Sequence, residues 1–385
     1  MEMKRKRQGA WFKWLLAGIF ILLYGFGVYA LNADRLFQGQ IGDTFMEFET
    51  AVVAEVLEDR TFLDEEGQVQ GALDLLIHIQ TGRYSDKELE LTYHFIRLAN
   101  IMPEAGDRVS VRVSTLNGEF AGAAFDNFER RETLLGVVLV FFLALGVIGG
   151  KKGLRSIGGL VFTLINIVFV LIPLMLRGWP VILTTVGILG VVAFVTLFLL
   201  FGFNRKLGIA LTGCLFGVMM AALIGTLVGD LIQVNGLHME EADVLVRLIH
   251  IHELGLNSEG LFISGILIAS LGAVMDIAVS MISAMEEIKG TQDRLGRKDL
   301  FRSGMNVGRD MMGTMSNTLI LAFAGTALNM IIVMYITSLG MNHLFNTDVV
   351  ALEIIRAVSG SLGLVLTVPV VALLQAWSLT SRKSG

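Results

Sequence analysis

The sequence predicts an α-helical integral membrane protein of about eight transmembrane helices, with a small exported β-barrel after the first helix. Three observations predict it. Hydrophobic residues make up 54% of the 385 and charged residues 17%, against roughly 45–50% and 25% in soluble domains. Apolar stretches long enough for a bilayer core, about 20 residues each, recur along the chain, which has a mean hydropathy of +0.68. One stretch alone, residues 41–130, trades these runs for alternating patterning and acidic charge.

Residues 1–10 carry Lys4, Arg5, Lys6 and Arg7 and read as a basic cytoplasmic N-terminus. The apolar run 11–31 follows. Its basic start and its Val28-x-Ala30 end also describe a cleaved signal peptide, but the run is longer than a usual signal core. An uncleaved anchor is the favoured reading.

Nineteen of the 35 acidic residues lie between Asp43 and Glu132. Val52–Leu57, Leu73–Ile79, Leu89–Tyr93 and Arg108–Val113 alternate as strands do, and Pro103-Glu104-Ala105-Gly106-Asp107 is turn chemistry. Five or so short strands in about 90 residues suggest an OB-like barrel. Its acidic surface, with aromatics that show no basic interleaving, argues against nucleic acid, as does the net charge of −5. A sensing, gating or partner-docking role beside a pore is the plainer reading.

Residues 133–380 form the expected seven-helix transmembrane domain, and 381–385 a short tail. The spans run near Thr133–Gly150, Ile157–Leu176, Val181–Phe203, Leu207–Leu231, Leu261–Met285, Met311–Leu339 and Val350–Trp377, with Pro173 and Pro369 expected to kink two of them. Threaded alternately, they leave 18 basic residues on one side, while the opposite short loops carry Arg177 and Arg247. The excess marks the cytoplasmic side, so both termini are expected inside and residues 41–130 outside. Gly213-x-x-x-Gly217 and Gly225-x-x-x-Gly229 are read as close helix contacts.

Inside the spans, polar residues are few. Asp276, Ser280, Ser283 and Glu287 fall at i, i+4, i+7 and i+11 on one helix face. Asp310, Thr314, Asn317 and Thr318 share a face of the next helix. Both groups reach roughly 12–15 Å in from the cytoplasmic ends at about 1.5 Å per residue, so one polar layer between the helices is expected. A carboxylate at that depth costs about 2.5–3.5 kcal/mol on insertion scales and belongs against protein or a watery cavity. Asp276 is thus a candidate proton or cation site, with Ser280, Ser283, Thr314, Asn317 and Thr318 as neutral groups along a path. The alternative is a buried hydrogen bond that only fixes two helices together. Glu286, Glu287 and Asp310 are expected to be solvated. Glu353 and Arg356, at i and i+3, read as a structural ion pair, beside a small-residue surface at Ser359, Gly360, Ser361 and Gly363.

The outward loop 233–260 gathers His238, Glu240, Glu241, Asp243, His250, His252 and Glu253. His250 and His252 lie about 200° apart on a helix, so an interfacial amphipathic helix is favoured over a metal site. One cysteine, Cys214, excludes an internal disulfide or a cysteine zinc site. No Walker A loop, HExxH helix or GxSxG elbow occurs; no cofactor, resident metal or catalytic residue is expected. A convincing internal repeat is also lacking, which weakens analogy to inverted-repeat transporters.

The stretch Gly272-Ala273-Val274-Met275-Asp276-Ile277-Ala278-Val279-Ser280, followed by the acidic pair Glu286-Glu287, resembles a signature of the YibE/F-like family of multi-pass membrane proteins. Gly308-Arg309-Asp310-Met311-Met312-Gly313, leading to Ser316-Asn317-Thr318-Leu319-Ile320-Leu321-Ala322, is similar to its second signature. The resemblance is expected to span nearly the whole chain, including an exported β domain, and implies a bacterial cell membrane. It supplies neither substrate nor catalytic residue. Function therefore rests on the polar residues: a secondary transporter or permease for an unknown small solute or ion is the leading expectation. A non-catalytic scaffold or sensor, whose exported domain recruits a protein partner, is the alternative. An intramembrane lipid-modifying enzyme is a remote third, for want of an acid–base pair beside a nucleophile.

Overall fold

The computed structural model describes residues 24–32, 40–41, 44–65, 67, 69–95, 101–116, 119–234, 257–292, 294–337 and 340–381. Of the expected features, most of the first span and the histidine-bearing residues of the outward loop lie outside these. The chain divides into two compact units, residues 33–144 and the remainder.

In the first unit, strands β1 (Gln40–Ile41), β2 (Thr44–Leu63), β3 (Val69–Ile79), β4 (Glu88–His94), β5 (Arg108–Leu116) and β6 (Glu119–Phe128) form one antiparallel sheet. The path is β4-β3-β2-β5-β6, with β1 against β2. β2 is 20 residues long, and it changes partners along its length. Its first half pairs β5, its second half β3, and register shifts at Val53/Glu55 and Val56/Glu58 fall at the changeover. Such bulges bend a strand, and the sheet curls into a half-barrel. Alternation sends Val109, Val111 and Val113 of β5 inward, against Val53, Leu75 and Ile77. Gly71 holds φ +106°, and a Cβ there would stand 2.2 Å from the Arg60 carbonyl oxygen, so β3 passes β2 only as glycine. The Pro103–Asp107 turn is closed by the Glu104 N–H donating to Asp107 Oδ2 at 2.9 Å.

The elements that follow are helices, the first of which starts in the first unit and runs on into the second. α1 (Arg131–Leu176) is followed by α2 (Val181–Phe201), α3 (Arg205–Ile232), α4 (Ser258–Thr291), α5 (Arg297–Thr326), α6 (Leu328–Ile336), α7 (Met341–Phe345) and α8 (Asp348–Thr380). Among the described residues, five helices are long and apolar enough to cross a membrane, or six if α5 and α6, bent by 61°, are one broken span. The expected eight differ in two ways beyond the largely undescribed first. α1 covers two expected spans: Gly150 takes φ 53°, ψ −135°, and the helix doubles back there, so that a Cβ on Gly153 would stand 2.1 Å from the Leu145 carbonyl oxygen. The span expected at Met311–Leu339 is interrupted at Ala327.

Near its end α1 widens into a π-helical turn, Ile167–Leu171, just before Pro173. Proline has no N–H to give the carbonyl four residues back, here Phe169. Asn32 Nδ2 donates to that oxygen at 2.9 Å, and the Arg177 guanidinium donates to Leu31 O at 2.9 Å. The helical segment 24–32 is thereby fastened to α1, with Tyr24 and Phe162 rings 5.3 Å apart. Pro369, in contrast, sits inside an α8 that runs unbroken from Asp348 to Thr380.

Small residues set the packing of α8. Gly213 and Gly217 of α3 meet Val371 and Thr367, and Gly363 faces the Gly217 carbonyl, while Gly225 receives Ile263 and Ile266 of α4. The core between α3, α4 and α8 is built from Cys214, Val274, Ile277, Met281, Leu364 and Val368.

Candidate functional site

α4 starts at the Asn257 cap, whose side chain accepts from the Glu259 N–H at 3.1 Å. Its apolar residues Val274, Ile277, Ala278, Met281, Ile282 and Met285 are buried, while Gly272, Asp276, Ser283 and Glu287 are exposed and Ser280 is half-buried. The helix thus has a packed side and, opposite it, a polar strip. Ser283 donates back to Val279 O at 3.0 Å. Asp276 makes no side-chain hydrogen bond or ion pair among the described residues.

Toward the C-terminal end of α4, the strip opens into a cavity of about 450 Å³ lined by Lys152, Phe201, Asn204, Lys206, Val279, Ser283, Glu286 and Glu287. A second cavity of about 480 Å³, sharing Asn204, Lys206 and Glu286, is lined further by Arg205, Gln375 and Ser378. The Lys206 ammonium of α3 pairs with the Glu286 carboxylate of α4, and this pair borders both cavities. α3 begins at Asn204, whose Oδ1 accepts from the Lys206 N–H at 2.7 Å. That cap directs the first turn of α3, and with it Lys206, toward α4. Sequence reading expected Glu286 to be solvated; its side chain is 31% exposed and paired. The partners stand 80 positions apart, and no local pattern announces such a pair. Glu287 and Asp310 are exposed as expected.

Among the described residues, the expected polar layer between α4 and α5 does not form. α4 and α5 meet where Met285 covers Gly304 and Met281 covers Gly308. At about 100° per residue, those contacts lie about 140–180° around α4 from Asp276. Around α5, Asn317 lies equally far from the two glycines. The Gly304-x-x-x-Gly308 spacing was the signal for this contact face. Thr314, Asn317 and Thr318 are exposed. Thr318 donates to Thr314 O at 3.0 Å and Thr314 to Met311 O at 3.0 Å, so both hydroxyls are spent on their own helix.

Glu353 and Arg356 of α8 are joined by Arg356 Nη1 donating to Glu353 Oε1 at 2.7 Å. The guanidinium lies over the rings of Phe262 in α4 and Phe323 in α5, 5.5 and 5.8 Å from their centroids. This is a three-helix contact, with its charge desolvated by aromatic faces.

On the half-barrel, a groove of about 730 Å³ is lined by Glu58, Arg60, Asp74, Glu90 and Thr92 with Leu57, Leu91 and Ala123. Thr92 Oγ1 donates to Asp74 Oδ1 at 2.7 Å, and Arg60 pairs with the other oxygen. The Thr92 hydroxyl and the Arg60 guanidinium hold the Asp74 carboxyl below its ordinary value. Thr50 donates to Glu129 Oε2 at 2.9 Å and the Arg131 N–H to Oε1 at 3.0 Å, which hold the Glu129 carboxyl low in the same way. Among the described residues, no group of three or more His, Cys, Asp or Glu is arranged to hold a metal.

Fold and site define a protein of several membrane-length apolar helices with a half-barrel sheet at its N-terminal side and a polar strip on one central helix. Residues 137–381 match the model of the YibE/F-like protein family, and the chain belongs to that family. The match covers the helices from early in α1 onward and leaves the half-barrel and the helical segment 24–32 outside, narrower than the near-complete coverage the sequence motifs suggested. No curated protein matches the chain, and no solved structure does.

Proposed function

We propose that the chain is a multi-pass protein of a bacterial cell membrane that moves a small solute or ion, with Asp276 as its proton or cation site. The observation that carries this reading is the α4 strip. Asp276, Ser280, Ser283 and Glu287 run along one face into a charged cavity, and a carboxylate placed inside a span is a functional candidate by default. Ser280 and Ser283 are the neutral groups between Asp276 and the cavity, and the Lys206–Glu286 pair stands at its mouth. Of the sequence candidates, Thr314, Asn317 and Thr318 project from another face and are not assigned to this path. No catalytic residue or cofactor is assigned.

In the proposed topology the two limbs of α1, then α2, α3, α4, the α5–α6 pair and α8 make seven spans. The helix ending at Asn32 makes the eighth. Its ties to Phe169 and Phe162 support a retained anchor rather than a cleaved peptide. The basic-residue asymmetry supports cytoplasmic termini and an exported half-barrel, whose strand order supports the OB-like reading.

Cells expressing wild type and Asp276→Asn at matched membrane abundance test the proposal, with untargeted mass spectrometry and elemental analysis of both compartments. A solute whose distribution changes with wild type and not with the variant is the expected result. A variant that shifts the solute as far as wild type does sinks the mechanism.

The second reading is a scaffold whose exported half-barrel recruits a protein partner, and the Glu58–Asp74–Glu90 groove favours it. Deleting residues 41–128 then removes function, while Asp276→Asn lowers stability alone. Cross-linking from the groove that recovers no partner counts against it.

A further inference from the structure

The outer face of α5 is polar where a lipid-facing helix would be apolar. Asn306, Arg309, Asp310, Gly313 and Asn317 are all exposed and share that face, with Asp310, Gly313 and Asn317 spaced as successive turns. Nothing lies within 4 Å of a Cβ built on Gly313. Arg309 reaches Asn306 Oδ1 at 3.4 Å, a long and weak contact. Asp310 and Asn317 make no side-chain hydrogen bond or ion pair among the described residues. A carboxamide with two donors and an acceptor is therefore left without a partner on a helix surface, in a medium that offers none.

We propose that a second copy of this chain covers this face, giving a two-fold dimer in the membrane centred on Gly313 and Asn317. The chemistry is self-complementary, which selects a second copy over an unrelated helix. Across a two-fold axis along the membrane normal, each Asn317 meets its own equivalent, and a carboxamide can both donate to and accept from another. Arg309 and Asp310, adjacent and opposite in charge, each meet the other's counterpart. Gly313, one turn from Asn317, lets the backbones approach closely. The inference rests on α5 lying in the bilayer, as proposed above, but not on transport or on Asp276.

Gly313→Cys in a Cys214→Ala background tests it, by oxidative cross-linking in native membranes. The expected product has twice the 42.0 kDa chain mass, at a yield at least tenfold above that of Leu183→Cys, an exposed apolar position on α2. Adding Asn317→Leu should cut that yield at least tenfold, with monomer abundance unchanged because the side chain is exposed and makes no hydrogen bond among the described residues of its own chain. Equal yields at the two cysteines, or an adduct of another mass, overturn the proposal. Labelling the same cysteine with an impermeant maleimide separates the underlying reading. A thiol that labels freely in intact membranes places α5 in water, and the membrane assignment fails with the dimer. A protected thiol that does not cross-link overturns the dimer alone.

Discussion

Replacing Gly363 with alanine should push α8 away from α3. The new Cβ would stand 2.6 Å from the Gly217 carbonyl oxygen and 2.9 Å from Ala221 Cβ. Both are backbone-fixed, so no side-chain rotation relieves them. Restoring an ordinary C···O separation of about 3.3 Å requires the helices to part by about 0.7 Å. A gap of that size forfeits a quarter to a half of each contact's 0.1–0.2 kcal/mol. Over a few tens of atom pairs along the seam, the loss is about 2 kcal/mol, within the usual range of about 1–3 kcal/mol for overpacking. Thermal unfolding of the detergent-solubilised protein should fall by roughly 4–8 °C. Gly272→Ala is the internal control: it is also helical, but its Cβ meets nothing within 4 Å. There the gain in helix propensity, at most about 1 kcal/mol, should leave the midpoint level or slightly higher. An unchanged midpoint for Gly363→Ala, or an equal fall for Gly272→Ala, refutes the reasoning.

Other outcomes follow from the same geometry. Asn32→Leu removes the donor to Phe169 O and should cost about 1–3 kcal/mol; Pro173→Ala, which restores a backbone N–H, should recover most of it, and a midpoint indifferent to both excludes the latch. Lys206→Met strands a one-third-exposed carboxylate, so its cost should be about 1–2 kcal/mol, between the values for surface and buried pairs. A double-mutant cycle with Glu286→Leu that shows no coupling contradicts the pairing. Glu129, held below its ordinary 4.5, contributes stability above that pH and loses it as pH falls through its lowered value. Thr50→Val should therefore raise hydrogen exchange of β5–β6 peptides in the full chain at pH 7 and flatten their dependence on acid; identical pH profiles would exclude the Thr50 contact as the cause.

Much of the fold was legible because charge and hydropathy speak locally. Lys151 and Lys152 marked the fold in α1, and the alternation of Arg108–Val113 marked β5 and its inward valines. β6 was harder: Gly122, Ala123 and Ala124 dilute its alternation. The break at Ala327 has no proline or charge to announce it. The strip from Asp276 to Glu287 could be read from helical spacing alone, but its neighbours could not. Which face α4 turns to α5 is decided by Met281 and Met285 fitting onto Gly304 and Gly308, a contest of close packing against polar attraction that packing wins. Lys206 finds Glu286 only through the tertiary fold.

Asn32 and Phe169 are 137 positions apart, and everything between them must be made before the latch can close. At about 5–20 residues per second, the first helix waits roughly 7–27 s for its fastening point. The whole half-barrel is synthesised inside that interval. In the proposed topology the exported sheet is therefore free to pair before its anchor is fastened, and the latch closes afterwards. Slowing translation between residues 130 and 169 should lengthen this window without altering the finished fold.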